Sequence, residues 1–372
     1  MSDQRRLIVT CMKNEAPFIL EWVAYHRSIG FNDFLVFTND CDDGTVEMLD
    51  TLQKHGILTR RDNPYLEIPG DHNPQKGALR AAEDLEQVQS ADWVMISDVD
   101  EFVNIHTGDG TLDALFDVTG KVDVISMQWR LFGNGDVVEY DDAFITEQFT
   151  YCAPKFCPNP VQAWAVKSLY STNGPHVAGK FTRIGIHRPV NPGKDVGEIR
   201  WLDGSGRPVL DKFIKDGWRF GTHSYGYDLV TLNHYAVRSA ESFMVKKDRG
   251  RVNHVDRDQG LAYWLRMNFN MERDESIKRH ISRAREEYER LLSLRGVKTR
   301  QTEAVKAHRS KIKMLKERDD SKEFFDDITS PSMQLISRHL NLLNRKILSV
   351  GPQKIPQEIY DRVARVPDLM AS

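Results

Sequence analysis

The chain has 372 residues, 40% of them hydrophobic and 28% charged, and its 51 Lys+Arg against 54 Asp+Glu leave a formal net charge of −3, which excludes a uniformly basic nucleic-acid coat. Its 17 Phe, 11 Tyr and 7 Trp are enough to fill a sizeable core and exclude wholesale disorder. Four cysteines are too few for a disulfide scaffold, no run approaches the ~20 apolar residues of a membrane span, and the opening MSDQRRLIVTCMKNE lacks the apolar centre of a secretory signal, so the expectation is a cytoplasmic protein.

Leu7–Met12 is an apolar run suited to a buried strand. From Pro17 a helix is expected, because Phe18, Trp22, Tyr25 and Ile29 recur at helical spacing and Gly30 ends the run. Phe34–Thr38 reads as the second strand, followed by the polar turn Asn39-Asp40-Cys41-Asp42-Asp43-Gly44-Thr45. Val46–His55 reads as a helix closed by Gly56, and Ile57–Arg60 as a short third strand. The spacing then predicts a helix over Pro74–Val88, a buried strand over Trp93–Ser97 and another over Val122–Trp129. Strands alternating with helices in this way predict an α/β fold with a mainly parallel sheet flanked by helices on both faces.

Residues 130–235 are rich in Gly, Pro, Asn and aromatics, with short strand-like pieces such as Arg183–His187 and few helical periods. Such long irregular stretches within a folded unit are usually functional loops. The chain turns helical again near Ser239, and residues 277–318 carry 14 Lys+Arg against 5 Asp+Glu. The net charge of −3 is therefore a cancellation: this +9 stretch offsets about −12 elsewhere.

Asp98-Val99-Asp100-Glu101-Phe102 is the strongest chemical signal. The apolar strand before it delivers carboxylates to the carboxyl edge of the sheet, where open α/β sheets bind ligands. Alternation puts Asp98 and Asp100 on one side of an extended chain, where two hard oxygen donors can share a Mg²⁺ or Mn²⁺ that also holds a diphosphate. A bare D-x-D is also common among solvated or helix-capping acids, and its position after a buried strand is what singles this one out. The loops Thr10-Cys11-Met12-Lys13-Asn14-Glu15 and Asn39–Thr45 should converge on the same crevice. Lys13 or Lys76 could approach a phosphate there, although Asn, Asp and Gly also populate ordinary turns. Neither G-x-G-x-x-G nor G-x-x-x-x-G-K-[ST] occurs, which argues against a dinucleotide oxidoreductase and a P-loop NTPase.

These blocks together resemble a family. Lys13-Asn14-Glu15, Glu21-Trp22, Tyr25-His26 and Gly30-Phe31, then Asp43-Gly44-Thr45 and Asp98-Val99-Asp100-Glu101-Phe102, are similar in order to family 2-like glycosyltransferases of a bacterial branch related to glycosyltransferase family 92. Trp129–Gly133, Lys167–Tyr170, His187-Arg188-Pro189 and Asn233-His234-Tyr235 with Arg238-Ser239 and Phe243 continue the pattern to about residue 270. The resemblance implies a GT-A fold over 1–270, with a nucleotide-binding half at about 1–128 and an acceptor-binding half at about 129–270. Residues 271–372 are then a helical C-terminal extension. It implies metal-dependent, inverting transfer of one sugar from a nucleotide sugar, UDP by preference, to a glycan or lipid-linked acceptor, as in polysaccharide biosynthesis. By the same resemblance Thr10, Lys13, Glu15, Asn39, Asp40, Lys76 and Asp98 contact the nucleotide, while Asp98, Asp100 and His234 hold Mn²⁺ or Mg²⁺.

Inverting transfer also needs a group to take the acceptor's proton. Asp203, in the glycine-rich Trp201–Gly206 loop, and Glu147 are the candidates, with Asp228 third. The absence of Q-x-x-R-W and of membrane helices argues for single-sugar addition rather than polymer extrusion. The aromatic middle could stack on sugars, although core packing accounts for most of it. Cys152 and Cys157 lack the partners of a zinc knuckle. The 277–318 stretch reads either as a solvated amphipathic helix or as a peripheral contact with anionic lipid on the inner face of the membrane. Two rival functions remain at this point: a sugar-1-phosphate nucleotidyltransferase, and a non-catalytic carbohydrate-assembly protein of the same fold.

Overall fold

The computed structural model describes residues 4–68, 73–157, 159–172, 181, 183–190, 199–215, 217–221, 224–250, 260–340, 355–363 and 365. Their strands are β1 (Arg6–Met12), β2 (Asp33–Thr38), β3 (Thr59–Asp62), β4 (Trp93–Ile96), β5 (Glu101–Ile105), β6 (Val124–Leu131), β7 (Tyr151–Cys152), β8 (Val166–Ser171), β9 (Trp201–Leu202), β10 (Val230–His234) and β11 (Glu272–Arg273). The main sheet runs β3-β2-β1-β4-β8-β6-β10-β5 with β9 beside β6, while β7 and β11 form a separate pair. β3, β2, β1 and β4 are mutually parallel, β8 is antiparallel to both β4 and β6, and β10 is parallel to β6 and antiparallel to β5. The expected α/β class, with a mainly parallel sheet flanked by helices, is the one observed.

Alternation along the strands explains why both faces are covered. Ile8 and Met12 of β1, like Trp93 and Met95 of β4, join a core under the helix Ala16–Ser28. Leu7, Val9, Val94 and Ile96 join a second core under the helix Pro74–Glu83. A strand buried on both sides reads in sequence as a continuous apolar run. The Ala16–Ser28 helix is also fastened to β5: Trp22 Nε1 donates to the Glu101 carbonyl at 3.1 Å and the Tyr25 hydroxyl to that of Val103 at 2.8 Å.

Helices Ile281–Leu292, Val297–Lys316, Asp319–Thr329 and Pro331–Ser337 follow the sheet, as the helical extension predicts. Their apolar faces are part of the main core, where Ile281, Leu291, Val297, Phe324 and Ile336 join Ile19 and Trp22. Five of their basic side chains turn onto acids of the body. Arg285 pairs with Glu147, Lys316 with Glu241, Arg283 with Asp109 at 3.5 Å, and Lys311 and Arg318 with Asp248 at 2.7 Å each. A contact with anionic membrane through 277–318 draws no support from this arrangement. No helix among the described residues is long and apolar enough to cross a membrane.

Three expectations need correction, and one strand was not foreseen. The helix expected over Pro74–Val88 breaks at Asp84–Leu85 into Pro74–Glu83 and Glu86–Gln89, because Leu85 adopts an extended conformation and begins a new turn. The third strand starts at Thr59 rather than Ile57, since Ile57 and Leu58 are drawn into the core beneath the preceding helix. Arg183–His187 contributes only an isolated bridge from Arg183 to Val190. β5, directly after the acidic loop, was not expected, because its apolar Phe102, Val103 and Ile105 are too few to mark a strand without its partner β10.

One close approach bears on the site. A Cβ at Gly77 would lie 2.4 Å from Tyr65 Cβ and 2.7 Å from Tyr65 Cα. Only glycine therefore lets the Pro74–Glu83 helix come near enough to aim Gln75 and Lys76 across the sheet edge.

Candidate active site

Strand direction decides what meets at the carboxyl edge of the sheet. β1, β4, β6 and β10 run the same way, so their C-terminal ends present Lys13, Asp98 with Asp100, Trp129 and His234 at that edge. β8 and β5 run the opposite way, so it is their starts, with Lys167 and Glu101, that arrive there. The result is a cleft of ≈ 460 Å³, within the usual range for a small-molecule site.

Asp98 is held on three sides. Its backbone N–H donates to Glu101 Oε2 at 2.9 Å, Gln75 Nε2 donates to its Oδ1 at 3.0 Å and Lys167 Nζ to its Oδ2 at 3.3 Å. Lys167 is wholly buried and also lies 3.6 Å from Glu101 Oε2. Burial works against its charge, but Asp98 and Glu101 outweigh it and raise the lysine above its ordinary value. Glu101 is itself pushed upward by burial, against the pull of Lys167.

Asp100 is 6% exposed, and its two oxygens have different neighbours. Oδ2 accepts from Lys246 Nζ at 2.6 Å, while Oδ1 lies 3.6 Å from His234 Nε2. Burial alone would raise this carboxyl; Lys246 and then His234 prevail and hold it well below the usual carboxylate range. Lys246 also donates to the Ala236 carbonyl at 2.7 Å. It stands on the helix Ala240–Asp248, whose start is capped by the Ser239 side chain.

Glu15 forms part of the floor. Arg238 donates to its Oε2 at 2.9 Å and Arg249 pairs with Oε1. Arg249 also donates to the carbonyls of Lys13 and Asn14, so Glu15 ties the first loop to the end of the Ala240–Asp248 helix. The cations Lys13, Lys76, Lys246, Arg249 and Arg266 all face the cleft. On the other wall Trp129 lies 4.3 Å from the His234 ring, and His187 sits between Trp129 at 5.8 Å and Trp218 at 5.0 Å.

The structure thus brings Lys13, Glu15, Lys76, Asp98, Asp100 and His234 together in one cleft. Thr10 is buried within β1 and stops short of the lining. Asn39 and Asp40 stand just behind it: Asn39 Oδ1 accepts from Asn63 Nδ2 at 3.4 Å, and Asp40 Oδ2 lies 3.8 Å from Lys13 Nζ. The acids expected to take a proton are elsewhere. Glu147 is paired to Arg285 of the helix Ile281–Leu292. Asp203 closes its own turn, accepting from the N–H groups of Ser205 at 2.8 Å and Arg207 at 3.1 Å. Asp228 accepts from the Ser205 hydroxyl at 2.6 Å. None of the three is among the described residues lining the cleft.

Lys246, Arg249, Gln75 and the pairing role of Lys167 were not anticipated. Lys246 and Arg249 carried a readable signal, because they are three residues apart in a helical stretch that begins soon after His234, on one face of the helix.

Comparison with known proteins bears on the same region. Residues 7–149, which contain Lys13, Glu15, Asp98 and Asp100, match the family model described as Glycosyltransferase family 92. A glycosyltransferase family 92 protein of Oryza sativa subsp. japonica is 26% identical over 145 residues, 38% of this chain and 24% of the rice protein. One from Arabidopsis thaliana is 30% identical over 96 residues, 26% of this chain and 16% of its own length. The alignments thus span less than a quarter of these relatives. Among solved structures, S. aureus TarS 1-349 superposes with a TM-score of 0.31 at 12% identity, over 91% of this chain and 92% of that one. A putative glucose-1-phosphate thymidylyltransferase from Bacillus anthracis gives 0.30 at 14%, over 54% and 87%. Superpositions at that level carry no functional argument.

Proposed function

Taking the glycosyltransferase family 92 match over residues 7–149 as the premise, we propose that the protein transfers a single hexosyl group from a UDP-sugar to a hydroxyl of a glycan or lipid-linked saccharide, with inversion and with a divalent cation. The observation that carries this reading is the meeting of Asp98 and Asp100 with five cationic side chains in one cleft walled by Trp129 and Trp218. A site for a small uncharged ligand has no use for so many charges. A diphosphate needs cations around it, and a sugar ring suits an aromatic wall.

The residues fit a Mn²⁺ or Mg²⁺ in part. Asp100 Oδ1 and His234 Nε2 are neighbours at 3.6 Å, while Lys246 is engaged with the other carboxylate oxygen, so one oxygen and one imidazole nitrogen are close enough to serve the same ion. An imidazole favours Mn²⁺ over Mg²⁺. Among the described residues no three His, Cys, Asp or Glu side chains converge to hold an ion unaided, so further ligands would come from the diphosphate and water. When bound, such a cation neutralises charge developing on the departing nucleotide.

The chain's own groups do the rest. Lys246, Arg249, Lys13 and Lys76 supply fixed positive charge for the diphosphate, preorganised because Lys246 is held by Asp100 and Ala236 and Arg249 by Glu15. Gln75 and Lys167 hold the Asp98 carboxylate in one orientation. The tryptophans displace water from the reacting end.

The reading predicts UDP release from at least one UDP-hexose, stimulated by Mn²⁺ and suppressed by EDTA, measured by coupled UDP detection. No release from a panel of UDP-hexoses, or pyrophosphate-dependent synthesis of a nucleotide sugar instead, would contradict it.

A further inference from the structure

Inverting transfer requires an atom with a free lone pair beside the incoming hydroxyl, and the carboxylates lining the cleft are all engaged. Asp98 is held by Lys167 and Gln75, Asp100 by Lys246, and Glu15 by Arg238 and Arg249. Using one of them as a base would break a buried ion pair at the moment of reaction.

His187 is differently placed. It lines the cleft, and its Nδ1 lies 2.9 Å from the Val166 carbonyl oxygen. A carbonyl can only accept, so Nδ1 carries the hydrogen and Nε2 is left with a bare lone pair. The ring is clamped between Trp129 and Trp218, tilted only 31° from the latter, so that lone pair has a fixed direction. Val166 is the residue before Lys167, which ties the orientation of the ring to the strand that positions Asp98.

On the reading of the site as a UDP-sugar transferase, we propose that His187 Nε2 is the proton acceptor for the attacking hydroxyl. The acceptor oxygen forms its bond to the anomeric carbon as the bond from that carbon to the diphosphate oxygen breaks. The bonding pair leaves with the diphosphate, and the hydroxyl proton passes to Nε2. The imidazolium so formed keeps its Nδ1–H on Val166, and Trp129 and Trp218 flank the ring on the sugar-facing wall.

The charged and titratable groups acting on this ring are Lys167 from β8 and His234 from β10. Burial first, then Lys167, lowers the resting value of the imidazole to about 3, which leaves the lone pair unprotonated but makes the ring a weak base while the cleft is empty. A bound diphosphate brings negative charge into the same cleft, opposes Lys167 and makes the ring a better base when the donor is present.

His187→Asn tests this, because its amide N–H can still donate toward Val166 while the Nε2 lone pair is gone. UDP binding is measured by calorimetry, and turnover as hydrolysis of the UDP-hexose that the wild type turns over, with water as the smallest hydroxyl acceptor. The expected result is a UDP Kd within about threefold of wild type and hydrolysis lower by ~10²–10⁴-fold, the range for loss of a general base. Added imidazole is expected to restore part of the rate in His187→Ala. Hydrolysis by His187→Asn within threefold of wild type, or loss of UDP affinity in parallel with rate, overturns the assignment. A wild-type protein that fails to bind UDP overturns the donor reading, and this assignment with it.

Discussion

Asp100→Ala is expected to lower UDP release by at least ~10²-fold and to destabilise the fold by ~3–5 kcal/mol. The catalytic loss follows from removing the carboxylate that holds Lys246 in place and that would hold the divalent cation beside the leaving diphosphate. The stability loss has a separate origin. Asp100 and Lys246 are 6% and 8% exposed and 2.6 Å apart, and taking away the carboxylate leaves a buried ammonium without its directly bonded counter-charge, held by the Ala236 carbonyl. Replacing a whole buried pair by apolar groups is often nearly neutral. The double variant Asp100→Ala with Lys246→Met is therefore expected to recover most of the stability and none of the activity. Urea unfolding and the UDP-release rate, measured on the same preparations, separate the two effects. A double variant as unstable as Asp100→Ala would show that the ion pair is not the source of the loss.

Glu15→Ala is expected to have an effect of similar size for a different reason. Glu15 is 4% exposed and holds two arginines that are themselves almost wholly inside. Its removal leaves Arg238 and Arg249 without their counter-charge and loosens the Lys13–Asn14 loop from the Ala240–Asp248 helix. A loss of ~3–5 kcal/mol is expected, with weaker UDP binding, because both Lys13 and Arg249 lose their fixed positions.

The sign of the pH dependence follows from the same pairs. Burial opposes the Glu15 charge, but Arg249 and Arg238 prevail and hold its carboxyl below the ordinary 4.5. Asp100 is likewise held well below 3.8. Groups depressed in the native state contribute stability that is complete above the unfolded values and is lost as pH falls through the native ones. The urea midpoint of the wild type should therefore decline from about pH 4.5 downward, and Glu15→Ala should show a shallower decline over that window. An equally steep decline in the variant would rule out Glu15 as a contributor.

How far the sequence could be read depended on whether a feature was local. β1, β2, β4 and the Ala16–Ser28 helix were legible because burial on both faces, or at helical spacing, leaves a periodic trace in a short window. Asp98 and Asp100 were legible because a buried strand ran straight into them. Lys246 was not, although it touches Asp100, because the two are 146 positions apart and nothing in either neighbourhood encodes the pairing. Antiparallel β8, set between two strands of opposite direction, was equally hidden, and with it the reason Lys167 reaches the carboxyl edge. Asp203 misled because an aspartate in a glycine-rich stretch looks the same whether it faces a substrate or closes its own turn onto Ser205 and Arg207. His187 was visible as part of a motif, yet its usefulness depends on the Val166 carbonyl fixing its tautomer, which only the fold supplies.

The central claim is that the cleft at the carboxyl edge, and no other part of the molecule, receives the diphosphate of a nucleotide sugar. A crystal structure of the wild-type protein grown with UDP and Mn²⁺ tests it most directly. The account predicts density for UDP with its diphosphate against Lys246 and Arg249, with a Mn²⁺ between it and Asp100, and its leaving oxygen turned toward the Trp129–His187 wall. UDP bound away from these residues, or a cleft still empty at millimolar UDP, would contradict it.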